Sequence, residues 1–193
     1  LYGLYQEIKI MLKKNSNFLF VSVIILINLL MFTVYILISP ENLFLPSNLN
    51  KTVKAIVYLL IVLAPLFVVC LRYMYSNILI HVFSITNIKK TDLFKLSTIS
   101  YIPVLIGTLF NLILSFLFGV QKDSYLSLNS FITSNSRLIN LIYLKLNPFE
   151  LASIVLFSYL FTKKINGTKK DFFIFIVIWY IVDCLINYFF SKN

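Results

Sequence analysis

Long uncharged apolar runs, separated by short lysine-bearing stretches, constrain this chain more than any other feature. Residues 18–38 carry no charge over 21 positions, residues 99–118 none over 20, and residues 172–190 a single acid over 19, Asp183. A helix rises about 1.5 Å per residue, so each run is long enough to cross a hydrocarbon layer of about 30 Å. In lipid every backbone N–H and C=O must be satisfied internally, which leaves helices and closed barrels. The runs show no alternation of period two, so a barrel is excluded and an all-α polytopic transmembrane bundle is expected.

Two further runs bring the expected spans to about five. Residues 53–83 are apolar apart from a few polar positions, Lys54 and Arg72. The best spanning window is 55–75, with 76–83 continuing along the interface, which sets Arg72 near one end of the span, where its guanidinium would snorkel to the headgroups. Pro65 falls mid-span and predicts a kink. A fourth span reaches full length only if it starts near Tyr143, giving 143–161. The expected spans are therefore 18–38, 55–75, 99–118, 143–161 and 172–190. They form one integral membrane domain over 1–193, with no room for a separate soluble domain.

The connectors have their own patterns. Leu4, Ile8, Met11 and Leu12 recur at helical spacing among Lys9, Lys13 and Lys14, so an interfacial helix is expected to lead into the first span. The apolar run is too long for a signal peptide, and no small-residue cleavage site follows it. Pro40 and Pro46 predict a turn in the first loop. Leu138, Leu141, Ile142 and Leu146 predict a second amphipathic helix over 137–146, lying on the surface. The chain begins at Leu1, not Met, so a start is expected to precede it.

A net charge of +10 in a soluble protein would point to nucleic acid. Here the lysines flank the spans and no aromatic-basic motif accompanies them, so topology and anionic lipid account for the charge and nucleic-acid binding is excluded. With Arg72 left out, ten basic residues fall on one side of the expected spans and six on the other. The positive-inside rule then gives a cytoplasmic N-terminus and an external C-terminus in the plasma membrane. Abundant Asn, Lys, Ile, Phe and Tyr with scarce Ala and Gly indicate an AT-rich genome, as in a low-GC Gram-positive bacterium.

Four intramembrane polar residues are the candidate site. Asp183 lies about 17 Å into its span at 1.5 Å per residue, near the midplane. An ionised carboxylate there costs about 3 kcal/mol or more, so it must be protonated, face a polar interior or pair with a base. Its role is either an ion, proton or substrate pathway or a structural contact. Arg72 is the one basic residue within the 55–75 window, and a pair with Asp183 would offset both desolvation costs. Asn28 and Asn111 are expected to hydrogen-bond between helices, worth about 0.6–2 kcal/mol each, because Gly and Ala are too few for small-residue packing. His81 lacks partners at metal-ligand spacing. Cys70 and Cys184 sit in apolar runs and read as small buried hydrophobes. No HExxH, GxSxG, P-loop or paired intramembrane carboxylate is present, so no enzyme, metal or cofactor is expected.

Tyr101-Ile102-Pro103 opening the third span, and Asn147-Pro148-Phe149-Glu150 opening the fourth before a lysine-rich turn and an immediate last span, resemble the Yip domain family of five-helix membrane proteins. The similarity covers residue 51 to the C-terminus. It departs from the family pattern at Thr86–Ile88, where a glycine is common, and at Leu151 and Ala152, where a tryptophan is common. The resemblance implies no catalytic residues. It implies vesicle traffic for eukaryotic relatives. For bacterial ones it implies accessory membrane subunits of ABC exporters, with permease or ATPase subunits as partners. A small permease subunit or carrier in its own right, and an immunity protein against a toxic peptide, are the alternative functions.

Overall fold

The computed structural model describes residues 2–38, 50–85, 88–121, 124–132 and 134–190, without the side chains of 2–19, 187 and 190. The turn expected around Pro40 and Pro46 lies outside the described residues. Among those described the fold is all helical: α1 (Tyr2–Ile38), α2 (Lys51–Val82), α3 (Lys90–Ile99), α4 (Ile102–Phe118), α5 (Arg137–Lys145), α6 (Pro148–Lys164) and α7 (Lys169–Phe190), with one 3-10 turn at Leu128–Ser130. Three helical segments among the described residues are long and apolar enough to cross a membrane: Phe20–Ile38, Lys51–Val82 and Lys90–Phe118. A fourth is present if α5 and α6, bent by 70° at their junction, count as one. The outer surface is apolar, with Leu37, Phe116, Phe118 and Phe189 well exposed, as hydrocarbon surroundings require.

Helix starts and stops follow local chemistry. The side chains of Asn50 and Asn147 cap α2 and α6, accepting from the N–H groups of Thr52 and Phe149. Pro148 then occupies the first turn of α6, where no N–H is needed. Pro103 has no N–H to donate to the carbonyl of Ile99, so α3 stops and α4 restarts at Ile102. α6 ends with Asn166 at φ 53°. The N–H of Gly167 reaches back to the carbonyl of Thr162 at 2.9 Å, a left-handed cap that Asn tolerates. At the start of α7 the Thr168 N–H and hydroxyl both donate to Asp171 Oδ2, at 2.7 and 2.8 Å. These bonds, the backbone one first, hold the Asp171 carboxyl below the usual carboxylate range.

Three boundaries differ from the sequence reading. α1 is one uninterrupted helix, not an interfacial helix joined to a span. Residues 76–82 do not lie along the interface but continue α2 as one helix through Val82, with Tyr75, Ser76 and Leu79 buried against the bundle. The 143–161 span is broken between Lys145 and Pro148.

Contacts between helix ends define two ends of the bundle. At one end Tyr35 of α1 donates to the carbonyl of Gln121 after α4 (3.1 Å), and Arg137 of α5 donates to the carbonyl of Tyr188 in α7 (3.0 Å). At the other end Lys164 of α6 pairs with Asp92 of α3 at 2.7 Å, and Phe83 after α2 meets Phe175 of α7 edge to face.

The core is aromatic on one side. Tyr75, Phe157, Phe161, Phe175 and Trp179 pack with Leu79, Leu93 and Leu96 between α2, α3, α6 and α7. A smaller cluster of Ile24, Met31, Val69, Tyr101 and Leu105 joins α1, α2 and α4. Buried serines line the helix contacts: Ser76, Ser97, Ser100, Ser153 and Ser158 are each 0 % exposed. Apolar area drives little association in lipid, so close approach and interhelical hydrogen bonds must do more. One glycine joins the serines. A Cβ on Gly107 of α4 would lie 2.7 Å from Phe149 Cβ of α6, and Phe149 stacks on Phe110 at 5.5 Å.

That approach leaves no room for a methyl group. Gly107→Ala is expected to lower stability in detergent by about 1–3 kcal/mol, read as the midpoint of thermal unfolding. Adding Phe149→Gly, which removes the clashing Cβ together with the ring, should make the glycine substitution nearly neutral in that background.

Candidate functional site

Lys145 is the centre of the site. It ends α5, where the chain bends sharply into α6, and its Nζ lies 3.1 Å from both Glu150 Oε2 of α6 and Asp183 Oδ2 of α7. The lysine side chain is 15 % exposed, Glu150 32 % and Asp183 25 %. One ammonium thus bridges two carboxylates on different helices. The bend is what allows this: a straight helix through residues 143–161 would hold residues 145 and 150 on one rod, at differing angles. The short α5 instead slants inward from Arg137 at the bundle end, and its last residue reaches the interior. Tyr180 of α7 donates to the carbonyl of Ile142 at 3.5 Å and steadies the same approach.

Arg72 closes the cluster on the far side. It is 3 % exposed and lies inside the bundle, so it does not snorkel to the headgroups. The extension of α2 to Val82 explains this, because ten further residues place Arg72 about 15 Å from the helix end. Its guanidinium donates to Ser100 Oγ at 3.0 Å and stands over Trp179 with Cζ 5.9 Å from the ring centroid. Its Nε has no hydrogen-bond partner among the described residues. Ser100 sits at the α3–α4 break. Its hydroxyl donates to Ser97 (2.8 Å), and its carbonyl, left at the break, accepts from the hydroxyl of Ser153.

Arg72, Lys145, Glu150 and Asp183 line one cavity of about 90 Å³ together with Tyr101 and Trp179. Two bases and two acids make it formally neutral. The volume admits a few water molecules and nothing the size of a metabolite. No group of three or more His, Cys, Asp or Glu able to hold a metal occurs among the described residues.

The sequence-predicted residues divide in two. Asp183 and Arg72 meet in this cavity. Asn28 and Asn111 do not. Asn28 Nδ2 donates to the carbonyls of Ile61 and Val62 in α2, at 3.5 and 3.4 Å. Pro65 has no N–H for the Ile61 carbonyl, so Asn28 supplies a substitute across the α1–α2 contact. Asn111 Oδ1 accepts from the Tyr125 N–H at 2.8 Å and the Ser124 hydroxyl at 3.1 Å, fastening the loop after α4. Lys145 and Glu150 were missed as site residues. Their signal was present: a lysine and an acid on either side of Asn147-Pro148, a helix-breaking pair. Cys70 and Cys184 are free thiols, and Cys70 is exposed, not buried. Comparison with known protein families, with curated proteins and with solved structures finds no match to this chain.

The paired geometry predicts an unequal response to neutralising the acids. Asp183→Asn leaves Lys145 paired with Glu150 and should cost about 1 kcal/mol of stability. Glu150→Gln combined with Asp183→Asn strands the ammonium and should cost about 3–5 kcal/mol. Thermal unfolding of both variants in detergent measures the difference.

Proposed function

We propose that the chain is a non-enzymatic, five-span plasma-membrane protein that acts through protein partners, as an accessory subunit of a membrane transport system of the ABC-exporter type. The carrying observation is where the intramembrane polar groups are spent. Lys145 holds Glu150 and Asp183, Arg72 holds Ser100, Asn28 holds α2, and Asn111 holds a loop. Each ties one segment of the bundle to another, and the charged cavity is too small for a cargo molecule. The surface left for interaction is the apolar flank and the connectors. The Yip-like segments support the same reading, since Ile102-Pro103 and Pro148-Phe149-Glu150 open α4 and α6.

Five crossings accord with the two sets of end contacts. α1 and α4 finish at the end where α5 starts and α7 finishes, while α2 and α6 finish at the other, beside the starts of α3 and α7. With the lysine-rich ends inside, the N-terminus is cytoplasmic and the C-terminus external. A carrier acting alone is the second reading. One observation favours it: Glu150 and Asp183 remain partly exposed in a cavity at bundle depth.

Reporter insertions at Gln121 and Asn166 and a fusion at Asn193 should report outside, inside and outside. A cytoplasmic signal from the last would reject the topology. Crosslinking in the native membrane before extraction should yield a complex containing a permease or an ATPase. Recovery as a lone monomer, together with transport that survives reconstitution of the chain alone, would reject the accessory role in favour of the carrier.

A further inference from the structure

Asn28 and Asn111 each commit one end of the amide to the fold. Asn28 Nδ2 donates to carbonyls of α2, and Asn111 Oδ1 accepts from the loop after α4. The other ends, Asn28 Oδ1 and Asn111 Nδ2, have no hydrogen-bond partner among the described residues, and neither atom is sealed from the surface. Both residues line one cavity of about 300 Å³ between α1, α2 and α4. Met31, Phe32, Ile61 and Leu112 make most of the rest of its wall apolar. Thr108 adds a hydroxyl that donates to its own helix at Val104 (2.9 Å), which leaves its oxygen as an acceptor.

These polar groups share one level. α1 and α4 finish at the same end of the bundle, where Tyr35 reaches Gln121. Asn28 lies ten residues before the end of α1, and Thr108 and Asn111 ten and seven before the end of α4. At 1.5 Å per residue all three stand about 10–15 Å below that end. The way in is from the side. Leu60, Ala64, Phe67 and Leu71 form an exposed face of α2, and Ala64 also lines the cavity. A methyl side chain at that point, followed by Pro65, leaves an opening toward the hydrocarbon. Tyr35 lines the cavity on the side of the bundle end, and its bond to Gln121 closes that exit. Tyr101 lines both this cavity and the charged one, and so stands between them.

No acid or base lines this cavity. A phosphate or ammonium head would therefore lose its hydration at that depth with no opposite charge to offset the loss. An uncharged hydroxyl or carbonyl has no such cost, and in hydrocarbon an amide end without a partner gains from meeting one. The volume stands at the lower end of small-molecule sites, about 300–1,000 Å³, and suits one chain and not two. We propose that the cavity binds an uncharged single-chain lipid of the monoacylglycerol type, with a hydroxyl donating to Asn28 Oδ1, a head oxygen accepting from Asn111 Nδ2, and the chain leaving past Ala64. The inference goes beyond the accessory role and needs only that α1, α2 and α4 cross the membrane.

Native mass spectrometry of the detergent-purified chain, with monoolein, octadecene or lysophosphatidylglycerol added, tests it. Monoolein should be retained. Octadecene, which lacks the head, and the lysophospholipid, which carries a charge, should be lost. Asn28→Leu should weaken monoolein retention about tenfold, the contribution of one hydrogen bond. That variant also loses the tie to α2, so a second one leaves every hydrogen bond of the fold in place. Ala64→Phe fills the opening and should weaken retention by about tenfold or more. Cys70→Phe, also exposed on α2 but away from the cavity, should leave it unchanged. Octadecene or the lysophospholipid retained as well as monoolein, equal retention by Ala64→Phe and Cys70→Phe, or no retention of monoolein overturns the site. Alkaline washing of membranes keeps this apart from the crossing itself. Release of the chain sinks the crossing, whereas a chain that stays in the membrane and fails to select monoolein sinks the site alone.

Discussion

Lysine carried into an apolar bundle must find negative charge there, and Lys145 finds it twice. Its ammonium meets Glu150 on α6 and Asp183 on α7 at the same 3.1 Å. Much else in the fold follows from that arrangement. The chain must bend between α5 and α6 to deliver the lysine, and Asn147-Pro148 makes the bend by capping α6 and removing an N–H. α7 must stand beside the bend, and the aromatic packing of Phe157, Phe161, Phe175 and Trp179 keeps it there. Arg72 completes the balance of charge from α2, held by Ser100 and Trp179.

The same logic recurs wherever a helix is interrupted. Pro65 frees the carbonyl of Ile61 and Asn28 takes it; Pro103 breaks α3 from α4 and Ser153 takes the carbonyl of Ser100. In lipid a freed backbone group has no water to turn to, so each break needs a polar side chain on a neighbouring helix. Helix breaks and interhelical hydrogen bonds are therefore one feature seen from two sides. Serine at the contacts, with Gly107 against Phe149, provides the close approach that a chain poor in glycine and alanine lacks elsewhere.

The helical fold and its membrane-crossing length were legible because uncharged runs of about 20 residues have few other uses. Asp183 was legible as an anomaly because a lone acid at depth is costly. Its partner was not. Lys145 sits in a stretch whose apolar spacing reads as a surface helix, and nothing local records a 70° bend that turns its last residue inward. Arg72 was misjudged for a related reason. Residues 76–83 mix Ser, Asn and His with apolar positions, which looks interfacial in sequence, but Ser76 is buried against the bundle and the helix runs on. Asn28 was recognised as an interhelical donor, though its partner depends on Pro65, whereas Asn111, expected to bond another helix, holds the loop after its own, which only the packing reveals.

The central claim is that the Lys145 pairing holds the broken α5–α6 segment to α7. Comparing Lys145→Met with the charge-balanced double variant Lys145→Met, Glu150→Gln tests it most directly, by thermal unfolding in detergent. The single substitution leaves two carboxylates facing Arg72 alone and should cost about 3–5 kcal/mol. The double variant should regain most of that loss, because Asp183 and Arg72 then leave the cavity neutral. A Lys145→Met protein as stable as the parent, or a double variant no better than the single one, would contradict the account.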